Sequence, residues 1–103
     1  MNNIFAKIPA ELPQELTEIL LENKKVMVER IVSEGHCSPP GFWYDQDSNE
    51  WVILLSGSAE IEFAEGLVEK LQPGDYVFIP AHKKHRVKST NINHKSVWLA
   101  LFF

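Results

Sequence analysis

The chain has 103 residues, 45% hydrophobic and 23% charged, with a formal charge of −4 at pH 7. That length supports one hydrophobic core, so a single domain spanning residues 1–103 is expected. The acidic balance argues against nucleic acid as a partner, and no run of about 18 apolar residues is present to cross a membrane. The lone cysteine, Cys37, has no partner for an internal disulfide. With no basic start and apolar run at the N-terminus, a cytoplasmic protein is expected.

Met1 to Pro9 reads as an extended arm ended by proline. From Pro13 to Glu22, Leu12, Leu16, Ile19 and Leu20 recur at spacings of three and four, which predicts a short amphipathic helix with Pro13 near its start. Arm and helix together take residues 1–24, and a barrel takes residues 25–103. Lys25 to Ser33 carries Val26, Val28, Ile31 and Val32 and predicts a strand. His36 to Gly41 is a loop. Trp51 to Leu55 is a strand ended by Ser56-Gly57. Ala59 to Ala64 alternates Glu60 and Glu62 with Ile61 and Phe63, the pattern of a strand with one wet face. A turn at Glu65-Gly66 leads into a return strand, Leu67 to Leu71.

Next comes the most informative stretch, Pro73 to Val87. Pro73-Gly74 suits a tight turn, and Tyr76 to Ile79 is an aromatic and β-branched run. Pro80 cannot donate to a sheet ladder and should stop that strand. His85 then opens another strand, His85 to Ser89, and Ser96 to Phe103 is the last. Many short strands at close spacing predict an all-β sandwich or barrel.

Two short motifs stand out. Glu50 is followed by Gly57 with six residues between, and Gly74, Pro80 and His85 fall in order further on. Over roughly Lys25 to Phe103 the chain resembles the cupins. Their first motif places two histidines one residue apart ahead of such a glutamate and glycine. Their second runs glycine, proline, glycine, histidine. The resemblance implies a small jelly-roll β-barrel with an N-terminal arm. It also implies a divalent ion (iron, manganese, zinc or nickel) held by the histidines and the glutamate, and no organic cofactor.

This chain departs from that pattern. The two histidines of the first motif fall at Trp43 and Asp45, or at Tyr44 and Gln46, and neither choice supplies a histidine. The second glycine of the other motif is His82. Carried over by position, Glu50 and His85 remain, with Asp45 or Gln46 as an oxygen donor and His82 as a candidate second nitrogen. Oxygen donors favour harder ions such as manganese or iron. His85 also suits proton transfer, or simply a hydrogen-bonded role inside a barrel.

Trp43, Tyr44 and Tyr76 are candidates to line a ligand pocket at the barrel mouth. Lys83, Lys84 and Arg86 form either a solvated turn or a cationic rim that draws in an anionic ligand. The resemblance therefore implies a small-molecule-binding barrel, acting as a metal-dependent enzyme on an anionic or hydroxylated substrate. The missing histidines motivate the alternative of a metal-free binding or sensor module. In the last strand Val97, Leu99, Leu101 and Phe103 share one side and Trp98, Ala100 and Phe102 the other. Apolar on both faces, it predicts a homodimer in which this strand or the N-terminal arm, Met1 to Pro9, contributes to the contact.

Overall fold

The computed structural model describes residues 1–103. Its eight strands are β1 (Leu16–Glu22), β2 (Met27–Ser33), β3 (Glu50–Ser56), β4 (Ala59–Phe63), β5 (Val68–Leu71), β6 (Tyr76–Ile79), β7 (His85–Thr90) and β8 (Ser96–Phe102). They form two antiparallel sheets, ordered β1-β2-β8-β3-β6 and β5-β4-β7. The chain crosses between sheets after β3, β5, β6 and β7, so the two layers face each other as a jelly roll.

Alternation decides which side chains fill the space between the layers. On β3, Glu50, Val52 and Leu54 are buried, and Trp51, Ile53 and Leu55 lie on the opposite side. On β4, Ala59, Ile61 and Phe63 point inward, while Glu60 accepts from Ser89 Oγ at 2.8 Å and Glu62 pairs with Arg86 outside. With Leu71, Ile79, Trp98 and Ala100 these inward residues make one core cluster. Gly57, after β3, has φ of +82°, and a Cβ there would come within 2.6 Å of Ser96 Cα. Only glycine satisfies both the dihedral and the close approach.

The predicted helix over 13–22 is not formed. Residues 16–22 instead make β1, an edge strand paired with β2. A register shift between Ile19 and Leu21 breaks the two-residue alternation. That irregularity is why the apolar spacing of three and four imitated a helix. A helix would also have buried one face, whereas Ile19, Leu20 and Leu21 are all exposed. Pairing with the free edge of β2 overrides the local pattern.

The expected arm is held down by a specific contact. Arg30, buried on β2, pairs with Glu18 and donates to the carbonyls of Ile4 at 3.0 Å and Ala6 at 2.7 Å.

Candidate functional site

Glu50 opens β3 and His85 opens β7, so the two sheets present them to each other at one end of the barrel. The loop before β3 is fixed there by backbone bonds. Tyr44 N donates to His85 O at 2.7 Å, His85 N donates to Tyr44 O at 3.2 Å, and His82 N donates to Gln46 O at 2.8 Å.

These bonds bring Gln46, Glu50 and His85 together. His85 Nδ1 lies 2.9 Å from the Lys83 carbonyl. A carbonyl only accepts, so Nδ1 carries the hydrogen and Nε2 is left to face inward. There Nε2 meets Glu50 Oε1 at 3.5 Å, and Gln46 Nε2 donates to the same oxygen at 3.3 Å. The Tyr44 ring stacks on the imidazole with centroids 5.4 Å apart and planes 25° apart.

An unprotonated Nε2 would set its lone pair against the Glu50 carboxylate. Burial pulls the His85 pKa down, but the Glu50 hydrogen bond, the Lys83 carbonyl and the Glu50 charge together outweigh it and leave the pKa raised. A proton on Nε2 would replace that repulsion with attraction to Glu50.

The group borders a cavity of about 80 Å³, lined also by Glu15, Tyr44 and Trp98 and walled by aliphatic side chains. Ligand pockets commonly run to about 300–1,000 Å³, so this chamber suits a small molecule or the head of a larger one. A groove of about 280 Å³ outside shares Glu15, Tyr44 and Val87 with the cavity, which puts Tyr44 between the two. Gln46 Oε1 and Trp98 Nε1 are buried without a hydrogen-bond partner.

Two glutamates that sequence reading missed add negative charge. Glu15 lines the cavity and accepts from Ser33 Oγ at 2.8 Å. Glu29 shares the inward side of β2, opposite Ala100. Its pKa is raised by burial first, then by the charges of Glu50, Glu15 and Glu22. The Tyr44 pKa is raised by burial and then by Glu15, Glu50 and Glu29. The alternation of Glu29 with Val28 and Arg30 in a predicted strand was the available signal.

The other sequence candidates sit elsewhere. Asp45 and His82 pair with each other outside the barrel at 2.8 Å, and the second His82 nitrogen lies 3.6 Å from Asp47. His82 also takes a φ of 65°, the left-handed backbone that a glycine would adopt freely. Neither residue reaches the cavity, because the loop alternates and turns Asp45 away from the side that carries Tyr44 and Gln46. Trp43 lies beside the Arg86 guanidinium at 6.0 Å. Tyr76 packs on Trp51 on the outward side of the five-stranded sheet and is 65% exposed.

Of the three cations near the mouth, Lys84 is exposed and the other two are engaged. Lys83 lies 3.6 Å from Glu65 and 4.5 Å from the Phe63 ring centroid, and Arg86 meets Glu62 at 3.2 Å and donates to Ser38 O at 2.8 Å.

A family model for the cupin domain matches residues 29–102. No curated protein sequence matches the chain. Among solved structures, a protein of Ralstonia eutropha JMP134 proposed to be a mannose-6-phosphate isomerase is 45% identical, with a TM-score of 0.95 over 99% of this chain and 95% of that one. A cupin superfamily protein of Desulfitobacterium hafniense DCB-2 is 22% identical, TM-score 0.77, over 93% and 83% of the two chains. The polyketide cyclase RemF of Streptomyces resistomycificus is 17% identical, TM-score 0.73, over 87% and 65%. These last two show the fold alone. Matched from β2 to the end of β8, and nearly superimposable on a structure at 45% identity, the chain belongs to the cupin family.

Proposed function

We propose that this cupin binds a small hydroxylated molecule in its barrel, with no resident metal ion. Glu50, His85 and Gln46 hold the ligand, and Tyr44 stands at the mouth. The carrying observation is the contact between His85 Nε2 and Glu50 Oε1 at 3.5 Å beside the cavity. A proton on His85 Nε2 would do what a cation does in the metal-holding members: it would keep a carboxylate and an imidazole together inside the barrel. The same pair is equipped to exchange a proton with a bound hydroxyl.

Cupins often hold a divalent ion, and the donors present do not fit one. No three His, Cys, Asp or Glu side chains converge. Gln46 turns its N–H, not its carbonyl, toward Glu50. Tyr44 offers its ring face to His85. A catalytic zinc site commonly uses three converging protein ligands. Here the only carboxylate that meets His85 is Glu50, and Glu15, the other carboxylate lining the cavity, accepts from Ser33 Oγ instead.

A phosphorylated sugar is not favoured either. No lysine or arginine lines the cavity, and Lys83 and Arg86 already face carboxylates of their own.

The test is a thermal-shift screen of hydroxylated small molecules, followed by NMR of the Trp98 indole N–H. A ligand that binds only the folded chain adds about 2.7 kcal/mol at a hundred times its dissociation constant. The expected hit moves the indole resonance and is lost in Glu50→Leu. A hit that leaves that resonance in place binds elsewhere and contradicts the assignment.

A further inference from the structure

The charges around the cavity are one-sided. Glu15 and Glu50 line it, and Glu29 shares the inward side of β2, where burial and then the charges of Glu50 and Glu15 raise its pKa. Against them stands one histidine. Arg30, the nearest fixed cation on β2, lies on the other face of the sheet with Glu18 and the arm carbonyls. An occupant that adds positive charge is therefore favoured over a neutral or anionic one.

The walls specify the kind of cation. Ile31, Val52, Ile61 and Ile79 are aliphatic, and Tyr44 and Trp98 are aromatic. Apolar walls strip water from a small hydrated ion without replacing it, whereas a short alkyl ammonium matches them with its carbons. Aromatic faces also attract such a cation.

Two buried polar atoms on residues that line this cavity lack partners. Gln46 Oε1 is an acceptor and wants an N–H or O–H. Trp98 Nε1 is a donor on a side chain only 4% exposed, and it wants an oxygen. Buried unpaired groups of this kind cost about 1–3 kcal/mol each until they are satisfied. An occupant that answers both carries a donor and an acceptor on one small skeleton.

We propose that the occupant is a protonated amine bearing a hydroxyl or carbonyl oxygen, as in an amino alcohol. The ammonium faces Glu15, Glu50 and Gln46 Oε1, and the oxygen accepts from Trp98 Nε1. This rests on the barrel being the binding site and adds the charge of what it binds.

The experiment titrates the full chain with ethanolamine, ethylamine, ethylene glycol and glycolate at fixed pH and ionic strength, following the Trp98 indole N–H by NMR. Trp98→Phe assigns that resonance. Ethanolamine is expected to saturate the shift about tenfold more tightly than ethylene glycol or glycolate. That factor is the size of one partly buried charge interaction, and Glu15→Gln or Glu50→Gln should remove most of it. In Trp98→Phe, ethanolamine should lose its advantage over ethylamine. Equal or tighter binding of ethylene glycol or glycolate, with the indole still shifting, overturns the amine assignment and leaves the barrel as the binding site. Saturation that leaves the indole unmoved, or no saturation by any of the four, overturns both.

Discussion

His85 Nε2 and Glu50 Oε1 lie 3.5 Å apart between the two sheets, with side chains only 6% and 10% exposed. Removing one member leaves the other buried without its partner, while removing both leaves an apolar pair. Glu50→Leu alone is therefore expected to cost about 3–5 kcal/mol in urea unfolding. The double variant Glu50→Leu with His85→Leu should recover much of that loss. A double-mutant cycle with no coupling would mean that the two side chains do not act as a pair.

The same contact sets a pH dependence. The folded His85 pKa is raised above the ordinary value of 6.5, despite burial, by Glu50 and the Lys83 carbonyl. Its contribution to stability is fully present below pH 6.5 and is lost as pH rises through the folded pKa. Chemical denaturation from pH 5.5 upward should show wild type losing stability over that window. His85→Phe should lack this fall. A wild-type curve that instead gains stability through the same window contradicts the proton assignment.

At the opposite end of β3, Gly57 has no room for a side chain. Gly57→Ala places a Cβ 2.6 Å from Ser96 Cα at a φ of +82°. Overpacking and left-handed strain together are expected to cost about 2–5 kcal/mol. Ser96→Gly does not relieve it, because the clash is with backbone as well as with Oγ. A Gly57→Ala protein melting at the wild-type temperature would show that β3 and β8 separate more easily than the packing indicates.

How much of this was legible varied by element. β6 is bounded in sequence as in structure, because Pro73-Gly74 forces a turn before Tyr76 and Pro80 has no N–H for the ladder after Ile79. Glu50 and His85 were identifiable because each opens a strand at a family motif position. β1 was not, since its apolar spacing reflects a bulge and its conformation depends on pairing with β2, a contact distant in sequence. The sequence left the first-motif positions open between Trp43 with Asp45 and Tyr44 with Gln46. The bridge from Tyr44 to His85 selects Tyr44 and Gln46 for the cavity side. Which carboxylates crowd the barrel depended on three separate strands and loops converging, which no local pattern encodes.

The outward side of the five-stranded sheet carries Trp51 and Ile53 of β3, opposite Leu101 and Leu99 of β8 and Phe78 and Tyr76 of β6. Tyr76 and Phe78 are more than half exposed, and none of these positions is charged. A surface of this kind meets a second copy of itself without like-charge repulsion. We expect a homodimer in sedimentation at micromolar concentration, and Phe78→Glu should convert it to monomer. A wild-type monomer at that concentration contradicts this expectation.

The most direct measurement is elemental analysis of protein purified without a nickel column, with and without added iron, manganese or zinc. A barrel held by a proton between Glu50 and His85 should carry far less than one divalent ion per chain, and His85→Ala should not change the amount. Close to one ion per chain in wild type, falling in His85→Ala and Glu50→Ala, would contradict the metal-free site.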